Sequence, residues 1–137
     1  MSISKQHKLE QAIINVLNLD GWDLEWCGGG YDHYDAKGKT PKGKDCVMEI
    51  KFRNKYYETK MLEVFKYDKL MEMPDDVVKL YFVNDPKANY LFWLNDVDLG
   101  EAKDMYCPST TLWNNTKKNK SVYLLQENQA SIINTNL

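Results

Sequence analysis

Histidine and cysteine are scarce in this chain, and their scarcity removes whole classes of site. The two histidines, His7 and His33, are too few for an imidazole-built metal centre. The three cysteines, Cys27, Cys46 and Cys107, form no close pair, which argues against a zinc knuckle and a disulfide framework. No apolar run approaches the roughly 18 residues that a membrane-spanning helix needs. The opening MSISKQHKLEQ lacks the pattern of a secretory signal, so a cytoplasmic protein with no membrane association is expected. Gly28-Gly29-Gly30 is followed by neither a helix nor a Lys-Ser/Thr pair, which excludes a phosphate-binding loop and leaves a flexible joint where backbone passes close to substrate. Excess positive charge is missing too. A net charge of −2 argues against a protein that coats nucleic acid by charge alone.

What is present reads as one domain over residues 1–137, long enough to bury a sizeable core, with 43% apolar residues. The most informative stretch is Tyr34 to Arg53. Cys46 to Phe52 alternates, with Cys46, Met48, Ile50 and Phe52 on one face and Val47, Glu49 and Lys51 on the other. Pro41-Lys42-Gly43 suits a three-residue hairpin loop, in which Pro starts a type I turn and Gly takes the left-handed position after it. If Thr40 faces Lys44, counting outward sets Asp35 opposite Glu49 and His33 opposite Lys51. Directly opposed residues share a face with Cβ atoms about 4.5–5.5 Å apart, so Asp35, Glu49 and Lys51 converge. A bulge would exchange Asp35 for Asp32, which stays in reserve.

Two carboxylates this close repel unless a cation joins them or one keeps its proton. A hard divalent ion answers the problem. Magnesium takes one or two carboxylates and keeps waters for itself and for phosphate oxygens, and a lysine beside it orients water or steadies developing negative charge. The set suits metal-assisted hydrolysis of a phosphodiester. The alternative is a solvated hairpin whose Asp, Glu and Lys form an exposed salt bridge worth about 0–1 kcal/mol.

Asp35 followed across a turn by Glu49-Ile50-Lys51 on an apolar strand resembles the PD-(D/E)xK signature of restriction-endonuclease-like nucleases, among them Holliday-junction resolvases and small phage nucleases. Tyr34 stands where the family name has proline. Two other Glu-x-Lys triplets, at Glu58 and Glu101, lack the alternating strand and the Asp across a turn. The resemblance implies that Asp35 and Glu49 bind Mg2+ or Mn2+, that Ile50 lends its backbone carbonyl, and that Lys51 assists the attacking water. It also implies that Glu10, on the first helix, reaches the metal directly or through water.

Local charge supports a nucleic-acid substrate. From Lys37 to Lys55 seven basic residues stand against two acidic ones. Lys37, Lys39, Lys42, Lys44, Arg53 and Lys55, together with Lys60 further on, are the expected phosphate contacts. A Lys-rich turn that blunts a sheet edge explains the hairpin lysines equally well.

Along the chain, Ser4 caps an expected helix to about Leu17 with Leu9, Ile13, Val16 and Leu17 inward. Trp22–Cys27 reads as a strand, and Thr59 to Met71 as a helix burying Met61, Leu62, Val64, Phe65 and Met71. Val77–Val83 is apolar enough for a central strand, and Tyr90–Leu94 for the next. Thr111–Trp113 and Val122–Leu125 suggest a last hairpin. The expected fold is α/β: an αβββαβ core, a mixed sheet flanked by helices, and an extra C-terminal hairpin. The function that follows is a metal-dependent nuclease on DNA, with RNA left open, structure-selective because the chain leaves little room for target recognition, and a homodimer if it must cut two strands. The alternative is a binding module on the same fold with no catalysis.

Overall fold

The computed structural model describes residues 3–28, 33–108 and 117–132. In chain order these form α1 (Ile3–Leu19), β1 (Asp23–Trp26), β2 (Ala36–Lys39), β3 (Asp45–Phe52), β4 (Thr59–Glu63), α2 (Val64–Met71), β5 (Val78–Asn84), β6 (Asn89–Trp93), β7 (Lys103–Pro108), β8 (Lys117–Gln126) and β9 (Ser131–Ile132). One sheet runs β1-β2-β3-β5-β6-β9, and a second, smaller sheet runs β4-β8-β7. β3 and β5 are parallel, joined by a crossover through β4 and α2, while the other pairs are antiparallel.

The alternation along β3 decides how the layers stack. Cys46, Met48 and Ile50 pack with Leu80 and Phe82 of β5 against Ile13, Ile14 and Leu17 of α1. Val47, on the opposite face, joins Tyr81, Val83, Tyr90 and Phe92 in a second core closed by Leu62 of β4, Leu70 of α2 and Leu125 of β8. The middle of the large sheet, β3, β5 and β6, is thus buried on both faces, as its near-continuous apolar β5 requires. Each fully buried aliphatic side chain contributes about 1.5–3 kcal/mol.

The αβββαβ order is present with one strand added, and four expectations change. Ser4 lies inside α1, which already includes Ile3. The buried stripe of α1 is Glu10, Ile13, Ile14 and Leu17, with Val16 38% exposed. Residues Thr59 to Glu63 form β4, where Lys60 and Leu62 point inward; only Val64–Met71 is helical, and Phe65 is exposed. The last hairpin exists, but its first arm is β7; Thr111–Trp113 lie outside the described residues. No helix among the described residues is long and apolar enough to cross a membrane.

Candidate active site

The β2–β3 turn fixes the site by fixing a register. The Thr40 N–H donates to the Lys44 carbonyl at 2.8 Å, the Gly43 N–H donates to the Thr40 carbonyl at 2.8 Å, and Gly43 holds φ 81°. Only glycine accepts that angle without strain. From there the pairs run Lys39 with Asp45, Gly38 with Cys46, Lys37 with Val47 and Ala36 with Met48. The paired register ends there, and Asp35 lies just before it. Asp35 is pinned beyond the end of β2 by three bonds: its N–H donates to the Met48 carbonyl (2.9 Å), its carbonyl accepts from the Cys27 N–H (2.8 Å), and its Oδ2 accepts from the Ile50 N–H (2.8 Å). A strand residue sends its N–H and C=O to the same edge, so the Ile50 carbonyl faces the edge that Asp35 occupies.

Asp35 and Glu49 open into one cleft of about 220 Å³, lined also by His33, Tyr34, Phe65, Lys66 and Lys69. Its electrostatics are strained in one direction. Burial first, then the Glu49 and Glu10 charges, push the Asp35 carboxyl up to about 7, against the opposing pull of the Ile50 N–H and Lys66. Burial likewise raises Glu49, opposed by Lys66 and Lys51. The Lys66 ammonium stands 2.8 Å from Glu49 Oε1. Burial would lower it, but Glu49, Glu63 and Asp35 outweigh burial and hold it above the ordinary lysine range. Lys51 is pushed down to about 8 by burial and by the charges of Arg53 and Lys66.

A half-buried and a buried carboxylate whose proton affinity is raised, beside a backbone carbonyl on the same edge, are a hard-oxygen donor set of the kind magnesium takes with its remaining waters. Both Glu10 oxygens are engaged by protein donors: its Oε1 accepts from the Trp26 indole N–H at 3.0 Å and its Oε2 from Gln6 at 3.2 Å. Gly28 makes room for that bond, since a Cβ there would stand 2.7 Å from Glu10 Oε1. Among the described residues no three His, Cys, Asp or Glu side chains surround a single cation position.

No family profile matches the sequence, and no curated protein matches it. Among solved structures, that of Hjc, a Holliday junction resolvase from the archaeal hyperthermophile Archaeoglobus fulgidus, superposes with a TM-score of 0.64. The match covers 94% of this chain and 92% of that one at 12% identity. This chain has the restriction-endonuclease-like fold.

Within the restriction-endonuclease-like fold the expected residues separate into two groups. Asp35, Glu49 and the Ile50 carbonyl gather at the end of β3, with buried Glu10 close enough to raise both carboxylates. Lys51 leaves the same face of β3 but lines an adjoining groove with Arg53 and Lys55. Lys37, Lys39, Lys42 and Lys44 lie at or near the other end of the strand. Lys39 pairs with Asp45 at 2.7 Å, and Lys42 and Lys44 share a hollow with Asp75, Asp76 and Asp96. Lys60 is a correction. It is 3% exposed and its ammonium meets Asp85 at 2.7 Å and Glu127 at 3.2 Å, so it offers no free charge to a phosphate. His33 lines the cleft exposed, and Asp32 lies outside the described residues. Sequence reasoning missed Lys66. A Lys on the helix after the Glu-x-Lys strand was the available signal, but its reach to Glu49 spans 17 positions.

Proposed function

We propose that this chain is a metal-dependent nuclease that hydrolyses phosphodiester bonds of DNA, selecting by structure rather than by base sequence. The observation that carries this reading is Asp35, held by the Ile50 N–H beside Glu49, so that one half-buried and one buried carboxylate share one open cleft. The fold it shares with an archaeal Holliday junction resolvase points the same way. Asp35, Glu49 and the Ile50 carbonyl would hold the ion, magnesium or manganese. When bound it supplies a Lewis acid for a phosphate oxygen and a more acidic water. Lys51, near pH 8, exchanges a proton close to neutrality and orients the attacking water through its amine. Lys66 balances the Glu49 charge while no cation is there. A homodimer supplies the second site that two-strand cutting requires.

The Lys66–Glu49 ion pair also favours a second reading, because a site neutralised from within suits a binding module that needs no metal. A panel of labelled duplex, single strand, flap and four-way junction separates the two, incubated with magnesium, with manganese and with chelator. Metal-dependent cutting that disappears in Lys51→Ala establishes the nuclease. Equal binding by wild type and variant, with no cutting of any substrate under either metal, establishes the binding module.

A further inference from the structure

Beside the carboxylate cleft, a groove of about 550 Å³ lies between the end of β3 and the three-stranded sheet. It begins where the cleft ends, since Lys51 on its wall is two residues, about 7 Å of strand, beyond Glu49. Lys51, Arg53 and Lys55 carry its positive charge, and none of the three has a carboxylate within ion-pair distance among the described residues. Asp85, the acid in its wall, is already committed to Lys60. The groove therefore keeps positive charge that forms no ion pair with a carboxylate among the described residues.

Charge is only half of its chemistry. Met61, Met105 and Leu124 give it apolar wall, and Tyr57 stands 58% exposed at its side. The neighbouring Tyr56 ring is engaged by Lys60 and Lys87, at 4.5 and 4.7 Å from its centroid. Tyr57 is held differently: Lys60 Nζ donates to its backbone carbonyl, which fixes the residue without covering the ring. A duplex backbone would use cations alone, because its bases are stacked inside. Cations beside an apolar wall and an open aromatic face suit a phosphate and an unstacked base together.

We propose that this groove holds an unpaired stretch of the nucleic-acid strand next to the bond cut at the carboxylate cleft, its phosphate at Arg53 and Lys55 and its base against Tyr57. The position of the cut rests on the nuclease reading, whereas the binding does not. Anisotropy of a short fluorescein-labelled single strand, and of the same strand annealed to its complement, is measured in chelator across a salt series. Tyr57→Ala weakens single-strand binding about tenfold with an unchanged salt slope and leaves the duplex alone. Arg53→Gln and Lys55→Gln each weaken it and reduce the slope of log affinity against log salt by about 0.7. Lys55 and Tyr57 are exposed, so their replacement leaves the packing intact and the test does not hang on Arg53. Single-strand binding by Tyr57→Ala equal to wild type overturns the proposal even if the wild type cuts DNA. The expected losses in a protein that cuts nothing under either metal uphold the strand in the groove and overturn the nuclease instead.

Discussion

The two ends of β3 carry similar side chains in opposite circumstances. At its start, Lys39 and Asp45 form an ion pair with both side chains more than half exposed, and Lys42 and Lys44 face Asp75, Asp76 and Asp96 across an open hollow. At its end Glu49 is 5% exposed, Asp35 is pushed up to about 7 and Lys51 down to about 8. Roughly 17 Å of strand separates Lys44 from Glu49. Charge at the first end costs little because water and neighbouring acids screen it. At the second end ionisation itself is opposed by the fold, the condition in which a cation or a phosphate has most to offer. The density of lysine along the sequence points to the first end; the energetic cost of charge points to the second.

The largest test of that contrast is to remove the costly carboxylates. Asp35→Asn, Glu49→Gln and Lys51→Ala are each expected to reduce metal-dependent cleavage by at least about a hundredfold, read as product per time on the preferred substrate. A Glu49→Gln protein with full activity would sink the assignment. Asp35→Asn carries a second expectation. Its amide oxygen still accepts the Ile50 N–H and its charge penalty is gone, so in chelator at pH 8 its thermal midpoint lies above that of wild type.

Lys66→Met comes next, because it leaves Glu49 without its counter-charge. Removing one partner of a buried pair costs about 3–5 kcal/mol. Lys66 is 35% exposed and Glu49 can take up a proton, so we expect about 2 kcal/mol at pH 8 in chelator and less at pH 5. Chemical denaturation at the two pH values reads the difference. Added manganese should return more stability to the variant than to wild type; equal gains in both proteins would mean that Lys66 does not occupy the ion's charge space.

The contrast also explains which parts of the protein were legible in sequence. Thr40-Pro41-Lys42-Gly43-Lys44 encodes its own turn, so the register from Lys39–Asp45 to Ala36–Met48 followed from local chemistry alone. β4 was lost because Lys60 takes an inward position, which breaks the apolar alternation that marks a strand. Its burial depends on Asp85, 25 residues away, a partner no local pattern announces. Lys66 was hidden for the same reason. Met61, Leu62 and Val64 fit a helical face as well as a strand, and tertiary pairing with β8 decided between them. Local signals built the hairpin; long-range ion pairs built its surroundings.

A smaller effect follows from the raised Asp35. Its carboxyl holds its proton better folded than unfolded, where the ordinary value is 3.8. That stabilisation is complete below about pH 4 and is lost as pH rises through 7. Glu49, also raised, acts in the same direction. Metal-free protein should therefore lose about 1–2 kcal/mol between pH 4 and 8, and Asp35→Asn should flatten the profile. Lys51 works oppositely above pH 8, where loss of its proton relieves the penalty of burying it. A midpoint that rises steadily from pH 4 to 7 would contradict the raised carboxylates.

The smallest expected effect is the most telling, because the sequence alone gives the tip of the hairpin most of its lysines. In Lys42→Ser with Lys44→Ser, two exposed charges leave a turn whose geometry rests on Pro41, Gly43 and the backbone bonds between Thr40 and Lys44. The Lys44 N–H also meets Thr40 Oγ1 at 3.2 Å, a bond that serine at position 44 retains. Stability should change by less than about 0.5 kcal/mol. Nearby Asp75, Asp76 and Asp96 already oppose an approaching phosphate, so single-strand affinity should fall less than about twofold, and the salt slope should barely move. A slope reduced by about 1.4, the counterion release of two phosphates, would put the strand across the tip. The cost of charge would then be the wrong guide to where this protein meets nucleic acid, and lysine density the right one.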